Sequence, residues 1–424
     1  MTDVPIPERV ASHMTSPIRI NGERLWSSLM SLAAIGGTER GGCNRQALTD
    51  EDKVARDLFV SWARSLGCVV SVDAVGNIFA ARAGTDAGLP PVLMGSHLDT
   101  QATGGRFDGV YGVMAGLEVL RTLADNRIAT RRTIEVASWT NEEGCRFAPA
   151  MLGSGVVAGT YSLDYAYERK DKAGRTFLGE LERIGYRGVV PARRRPFHAL
   201  FEAHIEQGPI LENSATTIGV VTGIQGAYWL DVTLEGVACH AGPTPMEMRR
   251  DPWRAACPII DGAFALAADN APWARATIGD VKALPGSRNT VPEKLVISVD
   301  LRHPDAQVLG NLVASFRSLV ESAASRYGIR SGIEQVWHMP PTAFDRRLVD
   351  LVESAAADLD LSHQRMVSGA GHDSLHTAQF APTAMIFVPC AGGLSHNEAE
   401  EASPADLVAG ANVLLHAVLA AAND

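Results

Sequence analysis

Pro91-Val92-Leu93-Met94-Gly95-Ser96-His97-Leu98-Asp99-Thr100 is a short apolar run that stops at a histidine and a carboxylate two residues apart. Its first four residues read as a buried strand that ends at Gly95-Ser96-His97. Residues 109–123 then read as a helix with Val113, Leu117 and Leu120 on one face. Residues 133–139 form a second strand candidate, ending at Asn141-Glu142-Glu143. Near the carboxyl end, 383–388 is another apolar strand, followed by a Gly-rich loop that contains His396. Strands alternating with helices imply an α/β layer fold with a mixed, largely parallel sheet.

Upstream, a helix is expected from about Thr49 to Leu66. Thr49 is the N-cap candidate, Asp50, Glu51 and Asp52 suit the positive end of the helix dipole, and Gly67 can close it. Val54, Leu58, Trp62 and Leu66 fall four apart and predict its buried stripe. Short strands at 68–72 and 78–81 flank Gly76-Asn77, which is turn chemistry. Between about 223 and 337 the texture changes. Residues 228–234 and 295–300 alternate apolar and polar side chains, as in an antiparallel sheet with one covered face. The helical pattern resumes at 346–356. The expected organisation is a first domain from 1–222 and 340–424, interrupted by an inserted α+β domain over 223–339.

The chain has 424 residues, and 38 Lys+Arg against 48 Asp+Glu give a formal charge of −10. That balance argues against binding to nucleic acid or to anionic lipid. The composition, 46% hydrophobic and 20% charged, is that of a globular chain and excludes disorder as the main state. No internal repeat is present. Six scattered cysteines without a CxxC pair do not suit a disulfide scaffold or a zinc ribbon. Residues 1–9 carry no apolar leader, and no uninterrupted apolar run approaches a bilayer span. A reduced, soluble, cytoplasmic protein is the expectation.

Histidines and carboxylates gather where strands end: His97 with Asp99 and Asp108, Glu142-Glu143, His204 with Glu206 and Gln207, and His396. In open α/β sheets, ligands collect outside the carboxyl ends of the strands. Any one of these groups alone is a weak signal, but the set is what a metal cluster requires. On an extended chain Asp99 lies on the same side as His97 and can hold its second imidazole nitrogen, as carboxylates do behind metal-bound histidines. Asp108 follows in the Gly-rich stretch Gly104-Gly105-Arg106-Phe107-Asp108-Gly109, where it could approach an ion or cap the next helix. Two adjacent carboxylates, Glu142 and Glu143, repel unless a cation or a shared proton offsets them.

Gly95-Ser96-His97-Leu98-Asp99-Thr100 and Thr140-Asn141-Glu142-Glu143-Gly144 resemble motifs of the dinuclear-metal aminoacylase and dipeptidase superfamily. His204-Ile205-Glu206-Gln207-Gly208-Pro209 and His240-Ala241-Gly242-Pro243-Thr244-Pro245 narrow the resemblance to the hydantoinase/carbamoylase amidases. It runs from about Gly95 to Glu398, with the motifs in family order. The resemblance implies a metallopeptidase-like catalytic domain with an inserted dimerisation or lid domain, and hydrolysis of N-carbamoyl amino acids. It also implies two divalent metal ions: His97 and His204 on one, Glu143 and His396 on the other, Asp108 bridging. Glu142 would be the general base, with Asp99 behind His97. His240 would stabilise the transition state across a homodimer interface. Asn289 and Arg302 would grip the substrate carboxylate, and Gln207 would touch the substrate. His372-Asp373 also resembles a family motif and is expected to support a loop near the site. His13, His338, His363 and His416 are expected to be structural or exposed. Cys239 ahead of His240, where alanine is usual, and Cys390 ahead of Gly392-Gly393 are departures from the family pattern between small residues.

Zinc is the default for a nitrogen-rich hydrolytic site, and manganese, cobalt or nickel also suit a bridging carboxylate. The metals would lower the pKa of water and polarise the ureido carbonyl, and a forked guanidinium at Arg302 suits a carboxylate better than lysine would. The nearest rival is allantoate amidohydrolase, which needs the same ions. More distant are an N-acyl amino acid or dipeptide hydrolase, and a non-catalytic ligand-binding relative, against which Glu142 argues.

Overall fold

The computed structural model describes residues 17–424; residues 1–9, expected to lack a leader, and His13 lie outside the described residues. Thr49 caps the helix Asp50–Ser65 by accepting the Asp52 N–H, and three acidic residues fill its first turn. Of the stripe read from the sequence, Leu58, Trp62 and Leu66 are half-buried against the core and Val54 is not. Val54 is 53% exposed, and the inward residues are Ala55, Phe59, Val60 and Ala63. Asp52 and Arg56 are also turned inward. They form an ion pair of 2.8 Å with both side chains fully buried.

In chain order the main sheet takes up β1 (Val69–Val72), β2 (Ile78–Arg82), β3 (Val92–His97), β4 (Ile134–Trp139), β5 (Ala199–Ile205) and β6 (Ile218–Ile224). The next strands, β7 (Gly226–Glu235), β8 (Cys239–His240), β9 (Arg275–Leu284), β10 (Thr290–Val291), β11 (Lys294–His303) and β12 (Arg330–Met339), lie outside it. β13 (Thr342–Ala343), β14 (His363–Ser368) and β15 (Thr383–Val388) return to it. The order is β1-β2-β4-β3-β5-β15-β6-β13, with β14 pairing on β6. At its centre β4, β3, β5 and β15 are all parallel. β1 and β2, and the β15–β6 and β6–β13 pairs, run antiparallel. The sheet is therefore mixed and largely parallel.

β3, β4, β5 and β15 are buried along their whole length, as strands in the middle of a parallel layer are. Helices Val110–Asp125 and Pro404–Asn423 pack together and against these strands. By length and composition the second could cross a membrane, but 67% of its most apolar stretch is buried inside the fold. That composition serves core packing here.

The remaining strands build a four-stranded antiparallel sheet, β12-β7-β11-β9, and a two-stranded ladder, β8-β10. Helices Trp253–Asp269 and Ala306–Arg326 cover one face of the four-stranded sheet. They share with it a separate apolar core around Leu230, Val232, Ile297 and Phe316. β7 starts two residues after β6 ends, and β13 pairs back onto the last residues of β6. The entry and exit strands of residues 226–339 are thus neighbours.

Arg56 also donates to the Gly76 carbonyl and to Thr140 Oγ1, while Asn77 accepts the Thr140 N–H. The Gly76-Asn77 turn therefore buttresses the start of the Glu142-Glu143 loop. Removing one partner of a buried ion pair strands the other charge. Arg56→Ala is expected to cost about 3–5 kcal/mol of stability, measured by denaturant unfolding; a loss under about 1 kcal/mol would contradict a structural role for the pair.

Candidate metal centre

β3 delivers His97 as its last residue and β5 delivers His204 next to its end. Glu142 and Glu143 follow β4, and His396 lies on the loop after β15. Because β4, β3, β5 and β15 are parallel neighbours, all four segments open on the same edge. Asp108 reaches this edge from the turn before the helix Val110–Asp125. Gly109 makes that turn with φ +67°, and a Cβ there would stand within 2.2–2.4 Å of the His97 ring atoms. Only glycine allows the approach.

The Asp108 carboxylate lies 3.5 Å from His97 Nε2, 3.2 Å from His204 Nε2 and 3.5 Å from His396 Nε2. His396 Nε2 is also 3.3 Å from Glu143, and Glu142 Oε2 is 3.6 Å from His97 Nε2. Two sets of potential ligand atoms form, each within 4.8 Å: His97, Asp108 and His204, and Asp108, Glu143 and His396. Asp108 belongs to both. His97 Nδ1 donates to the Asp99 carbonyl and His204 Nδ1 to the Ile205 carbonyl, each at 2.8 Å. These bonds orient both rings with Nε2 toward Asp108, the orientation that metal ligation through Nε2 requires.

The electrostatics are those of an anionic pit. Burial opposes ionisation of Asp108, yet hydrogen bonds from His204 and His97 hold its pKa well below the carboxylate range. Burial also opposes charge on His97, but Glu142, Asp108 and Asp99 outweigh it and push the imidazole well above its usual value. The bond to Glu143 lifts His396 to about 9. Burial, with repulsion from Asp373, Glu143 and Asp108, pushes Glu142 well above the usual range. Among the described residues no Lys or Arg forms an ion pair with Asp99, Asp108, Glu142 or Glu143; imidazoles are their only cationic partners. Three imidazoles and two carboxylates in this arrangement fit a pair of divalent cations, which would supply the missing positive charge.

Asp99 departs from the reading of its spacing. Its backbone carbonyl, not its carboxylate, meets His97 Nδ1. The strand ends at His97, so the same-side rule of a strand does not extend to Asp99. The carboxylate instead accepts the N–H groups of Glu142 and Glu143, both at 3.3 Å, and burial pushes its pKa up to about 6. Nor does Asp108 cap the following helix, whose N-cap is Gly109 without a side-chain bond. Asp108 receives Gln207 Nε2 at 2.7 Å and Ser395 Oγ at 2.8 Å. Asn141, Gln207 and His396 all have φ of 53–58°, a left-handed conformation costly for residues with a Cβ. Such strain gathers at functional sites.

Gln207 and Arg302 also line a cavity of 540 Å³, together with Glu206, Gln225, Met366 and Phe387. Arg302 Nε and Nη2 grip Asp300 at 2.7–3.0 Å, and Nη1 donates to the Gly369 carbonyl at 3.0 Å. His240 and Asn289 are not on this wall. They are exposed on the β8–β10 ladder, where the Ala241 N–H bonds the Asn289 carbonyl. His372 is buried with its ring 4.6 Å from that of His204, and Ser368 Oγ bonds its Nε2. Asp373 accepts from Ser154 Oγ. His338 stacks on Tyr228, while His363 and His416 bond to backbone carbonyls.

Sequence reading missed Glu400. This buried carboxylate accepts the N–H groups of Phe107 at 2.9 Å and Asp108 at 3.1 Å. It also accepts Ser395 Oγ at 3.1 Å. Gly105 leaves room for it: a Cβ there would lie 2.0–2.4 Å from the carboxylate. Glu400 therefore ties the Asp108 turn to the His396 loop.

Residues 93–420 match the model of peptidase family M20/M25/M40. The chain is 50% identical over 401 residues to the N-carbamoyl-L-amino-acid amidohydrolase of Rhizobium meliloti, a match spanning 95% of this chain and 96% of that protein. It is 35% identical over 386 residues to the allantoate amidohydrolase of Bacillus subtilis, spanning 90% of this chain and 93% of that protein. It superposes on a hydantoinase/carbamoylase family amidase from Burkholderia multivorans with a TM-score of 0.93 and 52% identity, over 96% and 99% of the two chains.

Glu400→Ala is expected to weaken divalent-metal binding about 10–100-fold, as loss of a group orienting a ligand does. Glu400→Gln, which keeps the acceptor for both N–H groups, should retain most of the affinity. Competition with a chromogenic chelator measures both, and equal affinity in Glu400→Ala and the parent would exclude the positioning role.

Proposed function

The chain belongs to peptidase family M20/M25/M40 and, within it, to the hydantoinase/carbamoylase amidases; from that premise we propose that it hydrolyses the ureido C–N bond of N-carbamoyl amino acids. The products are the amino acid, ammonia and carbon dioxide. The observation that carries the reading is Glu142, a buried carboxylate with no Lys or Arg partner among the described residues, beside two ligand sets that share Asp108.

His97 and His204 are assigned to one ion, Glu143 and His396 to the other, and Asp108 to both. Zinc suits the nitrogen-rich donor set, with manganese, cobalt or nickel compatible. When bound, the ions supply Lewis-acid polarisation and make water more acidic. Glu142 takes the proton of the attacking water and returns it to the leaving nitrogen. Glu142 is placed for this by its position beside His97 and the shared Asp108. Asp99 positions this base through the Glu142 and Glu143 N–H groups. Arg302, braced by Asp300 through Nε and Nη2, keeps donors on Nη1 and Nη2 for the substrate carboxylate. Gln207, bonded to Asp108, lies where the cavity meets the ligand sets and is assigned to substrate contact.

Residues 223–339 are assigned as the lid and dimerisation domain, with 1–222 and 340–424 catalytic. The exposure of His240 and Asn289, away from the cavity of their own chain, supports a homodimer in which each copy lends them to its partner. His240 then hydrogen-bonds the developing oxyanion, and Asn289 the substrate carboxylate. Six free thiols fit a cytoplasmic setting.

Release of ammonia from N-carbamoyl amino acids, β-ureidopropionate and allantoate, and of free amino acid from N-acetyl amino acids, tests the reading; faster turnover of allantoate than of every N-carbamoyl amino acid would overturn it. Glu142→Gln should keep its metal content and KM while kcat falls about 100-fold or more. A fall of less than about tenfold, ~1.4 kcal/mol in the barrier, would exclude Glu142 as the base. Arg302→Ala should chiefly raise KM, and an unchanged KM would remove it from the carboxylate grip.

A further inference from the structure

β9 and β11 are neighbours in the antiparallel sheet, and Arg275 stands directly opposite Arg302. Leu295, Ile297, Val299 and Leu301 of β11 are buried in the core, so Asp300 and Arg302 project from the other face. Arg275 and Thr277 of β9 line the same cavity as this pair. The two arginines are thus cross-strand neighbours on one sheet face, and like charges in such positions repel unless each has an anion beside it.

The charged groups of the wall are not equally engaged. Asp300 is committed to Arg302. The Glu206 carboxylate accepts the N–H groups of Ile210 and Leu211, both at 2.8 Å. Arg275 donates through Nη1 to the carbonyls of Pro272 at 2.6 Å and Ala274 at 2.9 Å. Among the described residues it has no carboxylate partner, and these bonds hold its guanidinium while leaving Nε and Nη2 free. Trp273, Met366 and Phe387 give the cavity an apolar stretch suited to an aliphatic stem. Its 540 Å³ falls among small-molecule sites, roughly 300–1,000 Å³.

Resting on the ureido-hydrolase reading above, we propose that this cavity selects N-carbamoyl amino acids whose side chain ends in a second carboxylate, and that Arg275 receives it. Arg302 holds the α-carboxylate, and Arg275 sets specificity. The apposed cations thereby each meet an anion of the substrate, and an uncharged side chain leaves Arg275 without one.

The test compares the metal-loaded enzyme with Arg275→Ala and Arg275→Glu on N-carbamoyl-L-aspartate, N-carbamoyl-L-glutamate and their amide counterparts, N-carbamoyl-L-asparagine and N-carbamoyl-L-glutamine. A charge-assisted contact predicts that the parent favours acid over amide by about 10–100-fold, mainly in KM. Arg275→Ala should erase most of that preference and Arg275→Glu reverse it. Parent kcat/KM equal or higher on the amides would overturn the proposal. So would an equal rise in KM on all four substrates in Arg275→Ala, which would make Arg275 a second hold on the α-carboxylate. Hydrolysis of none of the four by the parent would overturn the ureido reading itself, and the proposal with it.

Discussion

Asp108 is a buried carboxylate ringed by three imidazoles, and much of the protein's architecture is arranged to keep it there. An isolated buried carboxylate is costly. Here it persists because strand ends and loops bring His97, His204 and His396 against it, while Gln207 and Ser395 satisfy its remaining oxygen lone pairs. The parallel core β4-β3-β5-β15 exists on the same terms: it places four chain segments on one edge, where their side chains can share charge. Glu400 and the Gly105 gap, Gly109 against the His97 ring, and the Asn77–Thr140 brace all serve that edge.

The second sheet does different work. Its apolar face is closed by two helices, and its polar face carries Asp300, Arg302, Thr277 and Arg275 into the cavity that Gln207 also lines. A chain of formal charge −10 thus presents two arginines to one cavity. Net charge governs the long-range field, whereas a bound carboxylate responds to donors within hydrogen-bond distance. Because residues 226–339 leave and rejoin the main sheet at adjacent strands, the cavity lies between two bodies joined by a short double connection. Such connections suit opening and closing of a site.

Much of the fold was legible because its strands are fully buried or strictly alternating, and both patterns are local. The strands at 92–97, 134–139 and 383–388 were legible from short stretches rich in apolar and β-branched residues. The helix at 50–65 was legible from its cap and acidic turn, and its buried face in part: Leu58, Trp62 and Leu66 are half-buried, but the inward Asp52–Arg56 pair was not expected inside. The metal-type residues were legible as a set, since they sit at strand ends within motifs. Asp99 was recognised as important, yet the atom it offers to His97 depended on where the strand stops. Glu400 left no local signal; it lies 292 residues from the Asp108 N–H that it accepts.

The sequence by itself determined which side chains are the candidates for a metal centre: His97, Asp108, Glu142, Glu143, His204 and His396 are marked by residue type and motif. It also determined the α/β class, because periodicity and caps are properties of neighbouring residues. Only the tertiary structure decided that β4, β3, β5 and β15 are adjacent, so that these residues meet. It alone decided that Asp300 and Glu206 are engaged while Arg275 faces Arg302, and that His240 and Asn289 stand apart from the cavity. Those outcomes depend on strand order and register between segments far apart in the chain. A one-residue slip of register would turn every one of those side chains to the other face.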